Sequence, residues 1–392
     1  MYCVLLVVYS LMAADRYLFP VLAPDIRRAF SFSLANTGLL STIFTLGLGI
    51  GGLPTGYLLS RFSRKTVMMA GIAVFSGGIG LTTTAIGFWT MLVCLAASGI
   101  GMAMLATSMF ALAASYFYRY RAAAIGSVNA CYGIGGFYGP RLASLLLVSY
   151  GTWRAAMLGF SLFGFAMIAV IAVSVRSWFS ETHRAVQARA ADGGAETLLN
   201  RNTLLLTALS VIEGIAMYGY LGMYPTYLRE ALHHSPKEAG SVMSFFGVGA
   251  LLSIFGGWIG DRFSPRFVLA GGFLGTAALG YLFFHGSDSI VAAEIMTFAF
   301  GVCASTILYV NLAGYHVKAV RSSLASRGSG MFVTSLYASS AVAGYLMGAL
   351  VDHAGGVAAR GAWMLAGNIQ VVGFSILGAA LAFALQPKEM AL

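Results

Sequence analysis

The chain has 392 residues, of which 59% are hydrophobic and only 9% are charged, and its net charge is +10. A soluble domain usually has about 25% charged residues, so this composition excludes a water-soluble protein and indicates one that lies in a lipid bilayer. The basic charge requires no nucleic-acid partner, because membrane proteins keep an excess of Lys and Arg in their cytoplasmic loops.

Apolar runs of roughly 20 residues, the length that crosses the hydrocarbon core of a bilayer, divide the chain into twelve predicted spans. In chain order they cover residues 2–24, 37–58, 67–86, 89–115, 123–148, 154–175, 203–228, 239–259, 268–284, 290–315, 328–351 and 363–384. The longest polar stretch between spans separates two sets of six. We therefore expect a six-helix bundle at 1–175, a cytoplasmic linker at 176–202 and a second six-helix bundle at 203–392.

Basic residues predict the orientation of these spans. With the N-terminus inside, the cytoplasmic segments hold 15 of the 23 Lys and Arg residues and the outer loops hold 6, while Arg16 and Arg141 fall within spans. Because Lys and Arg accumulate on the cytoplasmic side, we expect both termini to be cytoplasmic.

Two similar decapeptides lie about half a chain length apart. Residues 56–65 read GYLLSRFSRK and residues 257–266 read GWIGDRFSPR, and each connects two apolar spans. The pattern resembles the loop 2–3 signature of the major facilitator superfamily, which implies an all-α membrane protein of twelve transmembrane helices in two six-helix bundles. In that family the loop helps to lock the cytoplasmic side, so the resemblance implies a gating role for Arg61, Asp261 and Arg262. A plain tight turn is the alternative interpretation.

Asp15 and Arg16 lie in the middle of span 1, where a charge costs a few kcal/mol even on the most lenient scale. The segment DRYLFPVLAPD at 15–25 resembles the anion:cation symporter branch of the superfamily, and also the related Spinster branch. Both place Asp-Arg midway along helix 1. The functional interpretation assigns an anionic substrate to Arg16 and a proton to Asp15, and the alternative is a local ion pair between the two.

Glu213 lies near the middle of span 7, with no basic residue within a helical turn in sequence. Burial of a lone carboxyl disfavours its ionised form, which is the property that a proton-coupling site needs. We therefore predict proton coupling at Glu213, with Asp15 as the competing candidate. The alternative is a protonated side chain that bonds to a neighbouring helix.

Other polar side chains at the depth of the spans are candidates for substrate contacts. Arg141 follows the glycines of span 5, whose spacing resembles the helix 5 motif of proton antiporters, and its long side chain could instead reach the membrane surface. The remaining candidates are amides and tyrosines, each of which could equally form a hydrogen bond between helices: Asn129, Tyr220, Tyr224, Asn311 and Tyr337.

The expected function is secondary active transport: proton-coupled uptake of a small organic anion by alternating access in a bacterial inner membrane, by a monomer. The alternatives are proton-driven efflux of an amphipathic compound, movement of a lysolipid or similar lipid, and a membrane-embedded sensor or enzyme. Span 4 lacks the Arg and Glu that the symporter branch commonly carries there, so either Arg141 or Glu213 takes their place or the chain belongs to another branch. A less polar cavity would suit a more apolar carboxylate. We expect no enzyme activity, no cofactor and no metal, because no nucleotide motif, catalytic constellation or metal-ligand spacing occurs.

Overall fold

The computed structural model describes residues 1–117, 121–180, 194–286, 288–321 and 324–390, and almost all of them are helical. In these ranges ten helices are long and apolar enough to cross a membrane, or eleven if the bent pair Pro236–Leu251 and Ser253–Arg262 is one span. The 30-residue helix Arg121–Tyr150 completes the twelve. It is long enough to cross, although its glycines, Pro140 and Arg141 make it less apolar.

Most of the twelve spans of the structure are longer than the sequence predicts, and five of them contain more than one helical segment. Span 1 continues to Phe30 and span 7 to Glu230, so their last basic residues lie in helices rather than in loops. In chain order the bounds are Tyr2–Asp15 with Leu18–Phe30, Leu34–Thr42 with Phe44–Arg61, Arg64–Thr82, Phe88–Tyr116, Arg121–Tyr150, Trp153–Ser174, Arg201–Glu230, Pro236–Leu251 with Ser253–Arg262, Pro265–His285, Ile290–Phe300 with Gly301–Tyr309 and Val310–Lys318, Ala325–His353, and Arg360–Gly367 with Asn368–Gly373 and Phe374–Ala382.

Buried apolar side chains form two separate cores. One consists of residues between Leu5 and Phe179, and the other consists mainly of residues between Leu206 and Met390. The predicted linker at 176–202 separates the two cores in sequence, and its part at 181–193 is outside the described residues. At its described end, the backbone of Ala195 pairs with the end of span 10, accepting from the Arg321 N–H at 3.0 Å.

The half-chain repeat is visible in the turns as well as in the sequence. Ser31 and His233 end spans 1 and 7 with positive φ values of 55° and 58°. Two residues later, Ser33 and Ser235 cap the next helix by accepting from a backbone N–H three residues ahead, which satisfies an otherwise unpaired donor. Equivalent turns at equivalent positions show that the two bundles are built alike.

Residue 2, residues 386–390 and the described parts of the linker, 176–180 and 194–202, lie at one end of the bundles, which we call the termini end; the opposite end is the far end. Toward the far end the bundles pack closely through glycines. A Cβ on Gly38 of span 2 would clash with the backbone of Gly344 in span 11, and a Cβ on Gly247 of span 8 would clash with the backbone of Gly136 in span 5. Close approach of small residues is the usual basis of tight helix packing in membranes, and here it closes the far end.

Candidate functional site

A central cavity with a volume of about 240 Å³ lies between the two bundles. Its walls come from the middle and the termini-side halves of spans 1, 2, 4 and 5 of one bundle and spans 7, 8, 10 and 11 of the other. Arg16, Tyr218 and Leu221 form its floor, because the same residues also line a space of about 20 Å³ on the far side. The cavity therefore extends from these three residues toward the termini end.

Arg16 lies where span 1 is interrupted. The helix Tyr2–Asp15 ends one residue before it, and the next helix begins at Leu18. Pro20 contributes to this break, because proline has no N–H to donate to the carbonyl four residues earlier, which is that of Arg16. The break is local, since Arg16 and Tyr17 keep right-handed helical backbone angles and residues 2–30 form one span.

Three tyrosine rings surround the guanidinium of Arg16. Its central carbon lies 4.8 Å from the ring centroid of Tyr218, 5.4 Å from that of Tyr132 and 5.6 Å from that of Tyr337. Attraction between a cation and aromatic rings stabilises such an arrangement, but it leaves hydrogen-bonding capacity unused. The Nη2 atom of Arg16 is buried and has no hydrogen-bond partner among the described residues, so the site has a donor available for a ligand.

The wall around this single cation is mostly apolar. Arg16 is the one charged residue among the described residues that line the cavity, and Met102, Met217, Leu221 and Phe246 form much of the surface beside it. A ligand in this cavity therefore meets one strong point charge and a large apolar area. This combination can bind a molecule that has one anionic group and a hydrophobic remainder.

Three of the predicted substrate residues meet at this cavity. Arg16, Asn129 and Tyr337 all line it, from spans 1, 5 and 11. Asn129 is exposed toward the termini end, and the Tyr337 hydroxyl lies 3.1 Å from that of Tyr309, another lining residue. The structure thus brings together an arginine, an amide and two tyrosine hydroxyls from both bundles.

Tyr220 and Tyr224 lie elsewhere, inside the second bundle. Both side chains are buried, and the Tyr220 ring stacks at 4.7 Å on Tyr224 and at 4.4 Å on Phe283. The Tyr220 hydroxyl forms a 2.7 Å hydrogen bond with Thr297. In this conformation their contacts are with spans 9 and 10 of their own bundle rather than with the cavity.

Asn311 is also engaged within the second bundle. Its amide nitrogen donates to the carbonyls of Gly256 at 3.0 Å and Ile307 at 2.8 Å. Gly256 belongs to the second segment of span 8, so this amide ties span 10 to span 8. The side chain is buried and does not line the cavity.

Arg141 lies in the far half of span 5, at the contact between the bundles. Its Nη2 donates to the Ser241 hydroxyl at 3.4 Å, and that hydroxyl donates to Glu294 at 2.6 Å. The guanidinium also lies over Phe137 at 4.3 Å and over Phe245 at 5.5 Å. Because Ser241 and Glu294 belong to spans 8 and 10, Arg141 forms a polar link between the bundles on the closed side.

The two candidate proton sites are both buried without partners. Asp15 is 6% exposed and its Oδ1 accepts no hydrogen bond, while Glu213 is 0% exposed and neither of its carboxyl oxygens has a partner among the described residues. No ion pair joins Asp15 to Arg16, so the local pair that the sequence also allows does not form. Glu213 lies within electrostatic range of Cys303 in the π-helical part of span 10.

The three predicted gating residues lie at the termini end and make contacts within their own bundles. Asp261 accepts from the Lys318 ammonium at 2.6 Å, and both residues belong to the second bundle. Arg61 and Arg262 each lie over an aromatic ring one turn earlier in their own helix, at 4.7 Å and 5.6 Å from the centroids. Their placement leaves the termini end of the cavity free of ion pairs between bundles in the described part of the chain.

The far end, in contrast, carries a cluster of five charges that joins the bundles. Arg229 donates to both carboxylate oxygens of Asp25, and the Arg27 guanidinium lies 2.7 Å from the carboxylate of Glu230. Arg28 lies 3.4 Å from Glu230 as well. We call these five residues the far-end cluster. The sequence places them in loops and so misses the cluster, although two acids at repeat-equivalent positions beside three arginines were a visible signal.

Tyr132, Tyr218 and Tyr309 are site residues that sequence reasoning does not select. Tyr132 follows Asn129 by three positions, so the two share a helix face, and this spacing could have identified it. Tyr218 stands two positions before Tyr220, on a different face of span 7, and only the packing of that span decides which face meets the cavity.

The model of the Major Facilitator Superfamily matches residues 5–345 and, in a second match, residues 206–389. The chain belongs to the Major Facilitator Superfamily. The predicted family and the predicted all-α fold are thereby confirmed, and the chain is a multi-pass membrane transporter rather than an enzyme.

Two curated relatives and one solved structure resemble this chain over most of its length. The cis,cis-muconate transport protein of Acinetobacter baylyi is 28% identical over 73% of this chain and 72% of its own length. The 4-hydroxybenzoate transporter of Pseudomonas putida is 21% identical over 72% of this chain and 71% of its own length. A bacterial homologue of the human lysosomal transporter Spinster, in an inward-facing and occupied conformation, has a TM-score of 0.79 at 18% identity and covers 98% of this chain and 95% of its own.

Proposed function

We propose that this transporter moves a small organic anion across the membrane and couples that movement to protons. The observation that carries the proposal is Arg16, a cation on the floor of a central cavity with an unused buried N–H donor. A guanidinium matches a carboxylate in shape and charge. The Arg16 guanidinium has no carboxylate partner among the described residues, so an anionic substrate would supply that partner.

The two relatives support a carboxylate. One is named for muconate and the other for 4-hydroxybenzoate; muconate has two carboxylates and 4-hydroxybenzoate has one, and both have an unsaturated carbon framework. The tyrosines around Arg16 and the apolar wall beside it suit such a compound better than a sugar acid, whose many hydroxyls would need partners.

Proton coupling rests on the two buried carboxyls. An ionised carboxyl inside the membrane is costly unless it is paired, and neither Asp15 nor Glu213 is paired in this conformation. Binding a proton removes that cost, so protonation can be linked to the side that the site faces. Glu213 remains our favoured site, and Asp15 is the competitor because it adjoins Arg16 directly.

The charge distribution and the packing of the bundles support an orientation in the membrane and a conformational state. The excess of basic residues at the termini end favours a cytoplasmic termini end, in the inner membrane of a bacterium. With the far end packed and the cavity reaching toward the termini end, the conformation would be inward-facing. Arg61, Asp261 and Arg262 would then make their contacts between bundles only after the cavity closes on that side.

Uptake into proteoliposomes tests the proposal. Purified protein would be reconstituted, a pH gradient imposed with the alkaline side inside, and the entry of labelled benzoate and cis,cis-muconate measured. We expect at least one of them to accumulate faster and further than in protein-free liposomes, which benzoic acid enters unaided as the neutral acid. A protonophore should abolish this excess. Arg16→Ala should abolish it too, because the cavity then has no cation.

Arg154→Ala is the matched control, because Arg154 lies at the far end over Trp153 and away from the cavity. It should transport normally. Accumulation that survives Arg16→Ala, or that ignores the protonophore, would contradict the proposed substrate class or the proposed coupling, respectively.

A second candidate is proton-driven efflux of an amphipathic compound, which the largely apolar wall favours. Arg16 would then contribute little to binding, and neutral or cationic amphipaths would compete with each other for the cavity. Transport of such compounds into inverted vesicles, undiminished by Arg16→Ala, would support this candidate over the first.

A further inference from the structure

The half-chain repeat places a leucine opposite the substrate-facing arginine. Pro20 of span 1 aligns with Pro225 of span 7 at an offset of 205 residues, three more than the offset between the turns at Ser31 and His233, and this local offset takes Arg16 to Leu221. Both residues line the central cavity, and both also line the small space beyond it. The two equivalent positions of the repeat therefore meet at the cavity floor, one charged and the other apolar.

From this asymmetry we infer that the substrate is a monocarboxylate, with its one anionic group at Arg16 and an apolar body at Leu221. The inference rests on the proposed function and narrows it from organic anions in general to those with a single charge. It also distinguishes this chain from a carrier of symmetric dicarboxylates, the class to which muconate belongs, because a second carboxylate would need a second cation and Arg16 is the one cation among the described residues of the cavity lining.

The surroundings of Leu221 support this orientation. Met217 lies one helical turn before it in span 7, and Phe246 of span 8 lines the same wall. A second carboxylate directed at this wall would lose its hydration without gaining a cationic partner, and that loss is severe for an ionised group.

The size of the cavity sets a second limit. Its volume of about 240 Å³ is below the roughly 300–1,000 Å³ of pockets for drug-sized ligands. Three tyrosine rings around one guanidinium also present flat surfaces beside the anion-binding donor. The substrate class is therefore a compact monocarboxylate with an aromatic or unsaturated apolar body.

Three compounds of nearly the same shape test the charge requirement. 4-Nitrobenzoate has one carboxylate, terephthalate replaces its nitro group by a second carboxylate, and 4-nitrobenzamide has no charge. Their binding to the purified protein in detergent would be measured by titration calorimetry at about pH 7.5, where the carboxyls are ionised. We expect 4-nitrobenzoate to bind at least about tenfold more tightly than either of the others, because only it matches one cation and one apolar wall.

Two variants then test the two ends of the site. Leu221→Arg places a second cation at the repeat-equivalent position and should improve terephthalate binding relative to 4-nitrobenzoate by about tenfold or more. Arg16→Ala should abolish the preference for 4-nitrobenzoate over 4-nitrobenzamide, and Arg154→Ala should leave all three affinities unchanged. If Leu221→Arg fails to fold, the comparison of the three compounds in the parent protein still tests the inference.

The outcomes separate this inference from the proposed function. Equal binding of 4-nitrobenzoate and terephthalate, with 4-nitrobenzamide weak, would overturn the monocarboxylate inference and leave anion transport standing. Binding of 4-nitrobenzamide as tight as that of 4-nitrobenzoate would overturn both, as would the absence of binding by all three compounds.

Discussion

Neutralising one acid of the far-end cluster should open the far end of the transporter. In Asp25→Asn the guanidinium of Arg229 loses the carboxylate that it binds across the bundle interface. Glu230→Gln likewise removes the carboxylate partner of Arg27 and one of the two carboxylates near Arg28. When the far end opens, water can solvate all five groups, so the ion pairs contribute little to the open state. Each substitution therefore destabilises the closed state selectively, which shifts the conformational equilibrium toward the open state.

The burial of the cluster sets the size of the effect. The side chains of Arg229 and Glu230 are 6% and 7% exposed, while those of Asp25 and Arg27 are each 23% exposed. Removing one partner of a buried interfacial charge pair costs about 2–5 kcal/mol, and the partial exposure of the other partner reduces that value through solvent screening. We therefore expect a penalty of about 1–3 kcal/mol, which corresponds to a population shift of roughly 5–150-fold.

Spin labels on the far ends of spans 1 and 7 would measure this shift as a distribution of distances between the bundles. The parent protein should show mainly the short distance, and Asp25→Asn should populate a longer one. Asp288→Asn is the matched control, because Asp288 pairs with Arg360 at the far end but within the second bundle. That substitution should leave the distance distribution unchanged.

Exchange of the two charges separates the ion pair from other effects of substitution. The double variant Asp25→Arg with Arg229→Asp restores opposite charges across the interface and should recover part of the short-distance population. A distribution that does not change in Asp25→Asn, or that changes equally in Asp288→Asn, would refute the reasoning, since the cluster would then not hold the bundles together.

The remaining predictions concern the binding site, the proton and the termini end. Arg16→Lys should keep normal membrane abundance but lose most benzoate uptake, because an ammonium cannot grip a carboxylate with two parallel donors. Glu213→Gln should retain exchange of substrate across the membrane and lose accumulation driven by a pH gradient; if only Asp15→Asn loses accumulation, the proton belongs to Asp15. Asp261→Asn should increase thiol labelling of a cysteine introduced into the cavity wall. The exposed pair of Asp261 with Lys318 contributes little to the present conformation, so the substitution should mainly destabilise the conformation in which the termini end is closed.

Repetition and charge explain why the sequence alone predicts this fold well. A charged pair inside an apolar run, such as Asp15 with Arg16, is expensive, so its presence marks a functional position without any knowledge of packing. The decapeptides at 56–65 and 257–266 identify the equivalent connections of the two halves. Both signals are local in the chain, and neither depends on how the helices rotate against each other.

Helix rotation is the part that the sequence does not determine. Tyr220 and Tyr224 share one face of span 7, and nothing local reveals whether that face meets the cavity or the neighbouring helices. Phe283 packs against both rings and so holds that face inside the bundle, which turns Tyr218 toward Arg16 instead. The same uncertainty affects Arg141, whose partner Ser241 belongs to the other bundle.

Symmetry between the two halves is kept at the far end and broken at the cavity floor, and this difference follows from what each place must do. The offset that relates Pro20 to Pro225 also relates Asp25 to Glu230, and each of these acids pairs with arginine from the opposite bundle. The acids therefore keep the repeat and take arginine partners from both sides of the closure, although the arginines themselves are not related by this offset. A cavity that must orient a molecule with two different ends cannot be symmetric, and there the offset pairs Arg16 with Leu221.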